Sequence, residues 1–228
     1  MVEWQYAFAT RKLVDSDAEQ LVLEELIEGS KRAVPEGGPR LHFLLSTPFR
    51  YPPLRHGSRF GTRQEGGIWY GSREQRTAFA EAAYYRLLFL DGTGADLGPL
   101  ETDLSAFRAP YATARGVDLT RTPFAAHREA LSSPSDYAAA QALGTDMRAE
   151  GVEAARYHSA RDAEGGVNVA LFSPAAFAAR RPSPPETWRC LVTRGGVDVV
   201  KKDVFRRLAF RFERAQFEVG GRLPAPAL

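Results

Sequence analysis

The stretch Gly67-Ile-Trp-Tyr70-Gly-Ser72-Arg-Glu-Gln-Arg-Thr77-Ala-Phe79-Ala-Glu81-Ala-Ala-Tyr-Tyr85-Arg-Leu-Leu-Phe-Leu90 decides the fold class. Gly67 to Tyr70 reads as a short strand. From about Arg73 to Leu90 the reading is a helix, because Phe79, Ala82, Ala83, Arg86 and Leu87 recur at spacings of three and four. Asp91-Gly-Thr-Gly94 stops it. Gly92, Gly94 and Gly98 do not make a dinucleotide fingerprint, since no apolar strand ending in a turn precedes them. Strand and helix alternate here and elsewhere without a regular βαβ rhythm. The fold class expected is therefore α+β rather than a doubly wound α/β sheet.

Upstream, Ser16 and Glu19 form a capping box that opens a helix. It runs to about Arg32, where Gly29, Lys31 and Arg32 close it. Pro35 to Pro39 reads as a turn and Leu41 to Leu45 as a short apolar strand. Thr47 to Ser72 reads as a long loop with no sustained period, of the kind that is usually functional in compact domains. Downstream, Tyr111 to Leu119 is expected to be a strand and Pro123 to Leu131 a short helix. Ser135 is expected to cap a helix reaching Glu150. Val152 to Tyr157 and Val167 to Phe172 read as strands around the loop His158 to Gly166. Ser173 to Phe177 reads as a helical turn and Arg181 to Pro185 as a rigid connector. A β meander follows: Trp188 to Arg194, a turn at Gly195-Gly196, Val197 to Val200, and Phe205 to Phe212. The tail after Gly220 is expected to be loose.

The chain has 228 residues, 44% hydrophobic and 25% charged, which is the profile of an ordinary globular protein. Its longest apolar runs, such as Leu87 to Leu90, are far too short to span a bilayer. The N-terminus lacks a charged-then-apolar signal pattern, so a cytoplasmic location is expected. The single Cys190 excludes an internal disulfide framework and a multi-cysteine zinc site, and the four histidines form no metal-binding pair. No metal is expected. A net charge of +2 gives no general drive toward nucleic acid. The cations are nonetheless uneven, with four lysines against 26 arginines. Either base composition explains this, or some arginines grip phosphate or carboxylate in two-pronged geometry.

Three places could carry chemistry. In the long loop, Arg50-Tyr51, Arg55, His56, Arg59-Phe60 and Arg63 precede Trp69-Tyr70. Guanidiniums alternating with flat rings suit a nucleotide, with Arg on pyrophosphate and a ring on the base. The plainer reading is a surface loop of solvated arginines with buried aromatic anchors. Glu81 falls among Phe79, Ala80, Ala82 and Ala83. A carboxylate there is costly to bury unless it is functional or ion-paired with a nearby Arg. Ser159, in His158-Ser-Ala-Arg161, offers a hydroxyl at sheet ends. Adjacent strand residues point to opposite faces, so His158 is poorly placed as its base, and no GxSxG elbow is present. Ser159 could instead satisfy loop backbone. His42 reads as a structural residue on a strand, His127 as exposed on its short helix, and Cys190 as a small core residue.

Phe49-Arg50-Tyr51, Ser58-Arg59-Phe60-Gly61, Gly67 to Ser72 with Tyr70, and Thr77 to Glu81 follow in order. Asp136-Tyr137, Gln141 to Gly144, Tyr157-His-Ser159-Ala-Arg161 and Gly166 to Phe172 with Asn168 complete the series. This succession, with Tyr70 eleven residues before Glu81, resembles the RES-domain proteins, named for an Arg, a Glu and a Ser. The similarity spans about residues 40 to 180. The chain as a whole, 1–228, is expected to be one domain, with an N-terminal extension (1–39) and a C-terminal β extension (185–220) around that core.

The resemblance implies an ADP-ribosyltransferase-like split mixed β core with flanking helices that clamps NAD+. It implies a toxin of a bacterial toxin–antitoxin pair that breaks the nicotinamide–ribose bond of NAD+ as a glycohydrolase or phosphorylase. The implied partner is an antitoxin with a helix-turn-helix region, alongside possible homo-oligomers and without direct nucleic-acid or membrane binding. By the same resemblance, Arg50 and Arg59 are candidates for the pyrophosphate. Tyr70, with Tyr51 second, would hold the nicotinamide. Glu81 would stabilise the developing cationic sugar, and Ser159 would orient the ribose. Which arginine takes the family's Arg role stays open, as does whether Ser159 or the Tyr137–Gln141 segment supplies the hydroxyl. Two other readings remain: an ADP-ribosyltransferase acting on a protein, and a non-catalytic nucleotide-binding protein.

Overall fold

The computed structural model describes residues 1–3, 10, 13–30, 33, 40–53, 55–93, 97–203 and 208–225. Among them lie five α-helices and nine strands in two sheets, which makes the fold α+β as expected. The larger sheet has the order β1 (Val2–Glu3), β3 (Leu100–Ala106), β7 (Glu186–Thr193), β8 (Gly196–Lys201), β9 (Ala209–Glu213), and all its pairings are antiparallel. The last three strands are the anticipated meander, turned at Gly195-Gly196. β3 was not anticipated, although Leu100, Thr102, Leu104 and Ala106 fall on alternate positions of it.

The smaller sheet has the order β2 (Trp69–Ser72), β6 (Val167–Leu171), β5 (Ala154–His158), β4 (Gly116–Asp118). It is mixed, because β4 and β5 run parallel and its other pairs antiparallel. Of the strand expected over Tyr111 to Leu119, only Gly116–Asp118 forms; Tyr111 makes an isolated bridge to Phe177.

α3 (Gln75–Gly92) links the two sheets. Phe79, Ala80, Ala83, Tyr84, Leu87 and Leu90 are buried in one cluster with Leu104, Trp188, Cys190, Val197, Val199 and Phe212 of the large sheet. Its Ala78, Glu81, Ala82 and Tyr85, spaced three and four apart, form a second stripe that lines a cavity. The small sheet is covered on both faces. Ala155, Tyr157 and Ala170 pack with Ala140 and Met147 of α5 (Ala138–Ala149). Ala154, Val169 and Leu171 pack with Phe49 of α2 (Phe43–Arg50).

Several local expectations are corrected. Leu41 to Leu45 is not a strand: Phe43 onward is α2, and His42 caps it, its ring Nδ1 accepting from the Leu44 N–H at 3.3 Å. Short apolar runs do not distinguish strand from helix by period. Pro48 inside α2 can make no hydrogen bond to the carbonyl of Leu44, and the Trp69 indole N–H takes that acceptor at 3.3 Å. Ser135 does not cap α5. The N-cap position is Tyr137, which makes no side-chain cap bond; just before it Asp136 accepts from the Ala138 N–H at 2.8 Å, and Ser133 accepts from the Asp136 N–H at 3.0 Å. The tail is held as far as Pro224, because the Tyr84 hydroxyl donates to the Pro224 carbonyl and Leu223 packs on the core.

At the start of α1 (Asp17–Ser30) Ser16 Oγ accepts from the Glu19 N–H at 3.2 Å, as the capping box requires, while the Glu19 carboxylate accepts from the Asp15 N–H at 2.9 Å rather than from that of Ser16. Lys31 and Arg32, the turn at Pro35 to Pro39, Gly94, and the start of the strand expected from Phe205 lie outside the described residues. None of the helices among the described residues is long and apolar enough to cross a membrane.

Candidate active site

Register on the small sheet places the first part of the site. Ser72 pairs with Asn168 across β2 and β6, and Asn168 pairs with Tyr157 across β6 and β5. Directly opposed residues share a face, so these three side chains stand in one row. The stripe of α3 carrying Glu81 lies over that row. Between them opens a cavity of about 570 Å³, within the range of small-molecule sites. It is lined by Ser58, Arg59, Tyr70, Ser72, Glu81 and Asn168, by four more tyrosines (Tyr51, Tyr85, Tyr137 and Tyr157), and by apolar and glycine residues.

The loop between α2 and β2 is ordered by one stripe of α5. The Gln141 side-chain amide donates to the carbonyls of His56 and Ser58 at 3.0 and 3.1 Å. Thr145 donates to Glu65 at 2.8 Å, and Arg148 to the Gly66 carbonyl at 2.6 Å. Gly144, on the same stripe, lets the Phe60 backbone approach so closely that a Cβ there would collide with it. The Tyr70 hydroxyl ties the loop from the other side, bonding Ser58 Oγ at 2.9 Å and accepting from the Phe60 N–H at 3.1 Å. Burial pushes the Tyr70 phenol up to about 12, with the Ser58 and Phe60 hydrogen bonds opposing.

Arg59 enters the cavity over the Tyr137 ring, with its guanidinium carbon 4.3 Å from the ring centroid. Its Nη1 donates to the Ser133 carbonyl at 2.7 Å and to Leu131 at 3.4 Å. Nε and Nη2 take no partner among the described residues, so an anion in the cavity has two donors to meet. Arg50 is elsewhere: it pairs with Glu28 of α1 at 2.5 Å and does not line the cavity. Tyr51 lines the rim and is exposed.

Glu81 has no arginine partner among the described residues; its partners are neutral donors. Ser159 Oγ and Asn168 Nδ2 both donate to its Oε1, each at 2.6 Å. Ser159 is buried and does not line the cavity. Its Oγ accepts from the backbone N–H groups of Arg161 and Asp162, both at 3.1 Å. With both lone pairs engaged, its one proton is directed to Glu81. The Ser159 loop is moored to α3, because Thr77 donates to Asp162 at 2.8 Å and Arg76 lies 2.9 Å from Glu164. His158 takes no part in this network: Ser159 donates to Glu81.

The structure thus brings Glu81, Arg59, Tyr70 and Tyr51 to one cavity, sets Ser159 behind Glu81, and leaves Arg50 outside. Sequence reasoning did not single out Asn168, Tyr157, Tyr85, Ser58 or Ser72 as site residues. A signal existed for Asn168, the one polar residue in the otherwise apolar strand Val167–Leu171. Cys190 is a core residue, its thiol pushed up to about 11 by burial. Among the described residues no cluster of three or more His, Cys, Asp or Glu is placed to hold a metal ion.

Compared with protein families, residues 32–193 match the family model described as the RES domain. That span includes the whole polar network around Glu81. No curated protein matches the chain.

Proposed function

The chain belongs to the RES-domain family, whose members are associated with toxin–antitoxin pairs and NAD+-related function, and we propose that it cleaves the nicotinamide–ribose bond of NAD+. The observation that carries this reading is Glu81: a carboxylate held on one oxygen by Ser159 and Asn168, facing a cavity that also holds an arginine and five tyrosines.

In NAD+ the ribose C1′ is bonded to a cationic nicotinamide nitrogen. Breaking that bond returns its electron pair to the ring, which leaves as neutral nicotinamide. The sugar passes through an oxocarbenium-like state, as in glycoside cleavage. An acceptor oxygen then bonds to C1′ and gives up its proton to solvent. With water the products are nicotinamide, ADP-ribose and a proton.

Each residue has a role in this scheme. Glu81 stabilises the developing positive sugar and accepts from a ribose hydroxyl. Arg59 binds pyrophosphate through its two unengaged donor groups. Tyr70 holds the nicotinamide by its ring face, and Tyr51 closes the rim. The leaving group needs no general acid, since it departs neutral. Arg50, paired with Glu28, is the weaker anion ligand of the two arginines proposed. An antitoxin with a helix-turn-helix region is the proposed partner.

Chromatography of products after mixing pure protein with NAD+, with and without phosphate, tests the reading. Nicotinamide release is the expected result; intact NAD+ at high protein concentration overturns it. ADP-ribose marks water as acceptor, and a phosphorylated product marks phosphate. A labelled protein band in cell extract, with no free ADP-ribose, marks protein transfer instead.

A further inference from the structure

Asn168 and Ser72 both line the cavity, and neither is accounted for by the roles above. Asn168 is almost fully buried, so both ends of its amide need partners. They have them: Ser72 Oγ donates to Oδ1 at 2.6 Å, and Nδ2 donates to Glu81 Oε1 at 2.6 Å. An amide can turn over and exchange its ends. The Glu81 carboxylate, which can only accept, fixes which way it lies, and the Ser72 hydroxyl, able to donate or accept, then donates to Oδ1 and holds that end in place. Ser159 reaches the same oxygen from the other side at 2.6 Å. Two donors therefore converge on Oε1, and Oε2 takes no protein partner among the described residues.

We propose that Ser72 and Asn168 are positioning residues that fix the plane of the Glu81 carboxylate and present its Oε2 to the ligand. The inference rests on the NAD+ reading for what the ligand is, but not for how the carboxylate is held. Two hydrogen bonds to one carboxylate oxygen fix the plane of the group and leave the other oxygen to accept from a ligand. Tyr84 and Tyr85 of α3 and Tyr157 of β5 lie within reach of its charge, and Arg59, Tyr70 and Tyr137 share its cavity. Asp162, on the Ser159 loop, is already bonded by Thr77 and lies 3.6 Å from Arg76.

Asn168→Asp tests this, since it keeps the shape and replaces the donor by an acceptor. Glutamate carboxyls labelled with ¹³C are observed by NMR without NAD+, and the resonance missing in Glu81→Gln identifies Glu81. The expected result is a Glu81 carboxyl resonance displaced in Asn168→Asp at the pH of the assay. In NAD+ cleavage, kcat should fall about 100-fold and KM should change little. Ser72→Ala should lower kcat by a smaller factor in the same direction.

A Glu81 carboxyl resonance left in place in Asn168→Asp overturns the proposal. So does a loss of activity that tracks melting temperature or falls on KM instead of kcat. Should Asn168→Asp not fold, Asn168→Ala carries the test, because loss of the donor also displaces that resonance. If the wild-type protein leaves NAD+ intact, the functional reading fails, while the carboxyl resonance still decides the positioning role.

Discussion

The hydroxyl of Ser159 lies 2.6 Å from Oε1 of Glu81, although one residue sits on a loop after β5 and the other in the middle of α3. That contact turns two separate polar positions into one device. Ser159 is locked by two backbone N–H groups, and Glu81 is locked by Ser159 and Asn168. On that contact we propose that Ser159 acts through Glu81 rather than on the ribose itself.

Glu81→Gln should leave the fold intact and slow NAD+ cleavage by at least about 100-fold, the scale of losing one transition-state electrostatic group. Circular dichroism and a nicotinamide-release assay check both halves. Near-wild-type turnover by the pure variant would remove Glu81 from the mechanism.

Ser159→Ala should lower kcat more than it changes KM, because Ser159 does not line the cavity. It also leaves the Arg161 and Asp162 N–H groups without their acceptor. Stability should fall by about 1–3 kcal/mol, the cost of leaving buried donors unsatisfied. A large rise in KM with kcat unchanged would instead place the Ser159 hydroxyl on the substrate.

Arg59→Ala should raise KM for NAD+ more than it lowers melting temperature, and Arg59→Lys should restore only part of the binding. A lysine keeps the charge but cannot reproduce the planar contact with Tyr137 or the several donors of a guanidinium. Steady-state kinetics alongside thermal melts separate the two effects. An unchanged KM with a large drop in melting temperature would assign Arg59 to structure.

Gly144→Ala provides a test of sign. Within a helix, Ala is favoured over Gly by about 1 kcal/mol. Here the new Cβ would strike the Phe60 carbonyl, part of the backbone that carries Arg59. The clash should win, lowering stability by about 1–3 kcal/mol and raising KM together. A variant that melts at or above the wild-type temperature would mean that the loop yields freely.

Tyr70 predicts an alkaline limit. Its phenol is raised to about 12, chiefly by burial, against an ordinary value of 10. A group raised in the folded state holds its full contribution below the unfolded value. That contribution disappears as pH climbs from about 10 through about 12. Denaturant midpoints should therefore decline over that window, and Tyr70→Phe should flatten the decline. An equal slope in both proteins would show that Tyr70 is not the group responsible.

Much of this could be read from the chain. The helix bearing Glu81, the paired strands β5 and β6, and the C-terminal meander follow from periodicity, since each buries one face and the side chains must recur accordingly. The order of polar residues along the chain also marked Arg59, Tyr70 and Glu81 together. Among the places that local pattern misjudged is Leu41 to Leu45, where His42 and Trp69 supply hydrogen bonds that favour a helix. Trp69 lies far along the chain, so no short window contains that information.

Sequence by itself determined the α+β class, the isolated carboxylate in an apolar helix, and the lack of cysteine pairs. Only tertiary structure decided which groups meet that carboxylate. Strand register set Ser72, Asn168 and Tyr157 in one row, and loop moorings swung Ser159 behind Glu81 while Arg50 turned to Glu28. Hydrogen bonds act over about 3 Å, whereas the residues that make them here lie tens of positions apart. Their partners are therefore fixed by packing of the sheets and α3, not by neighbours in sequence.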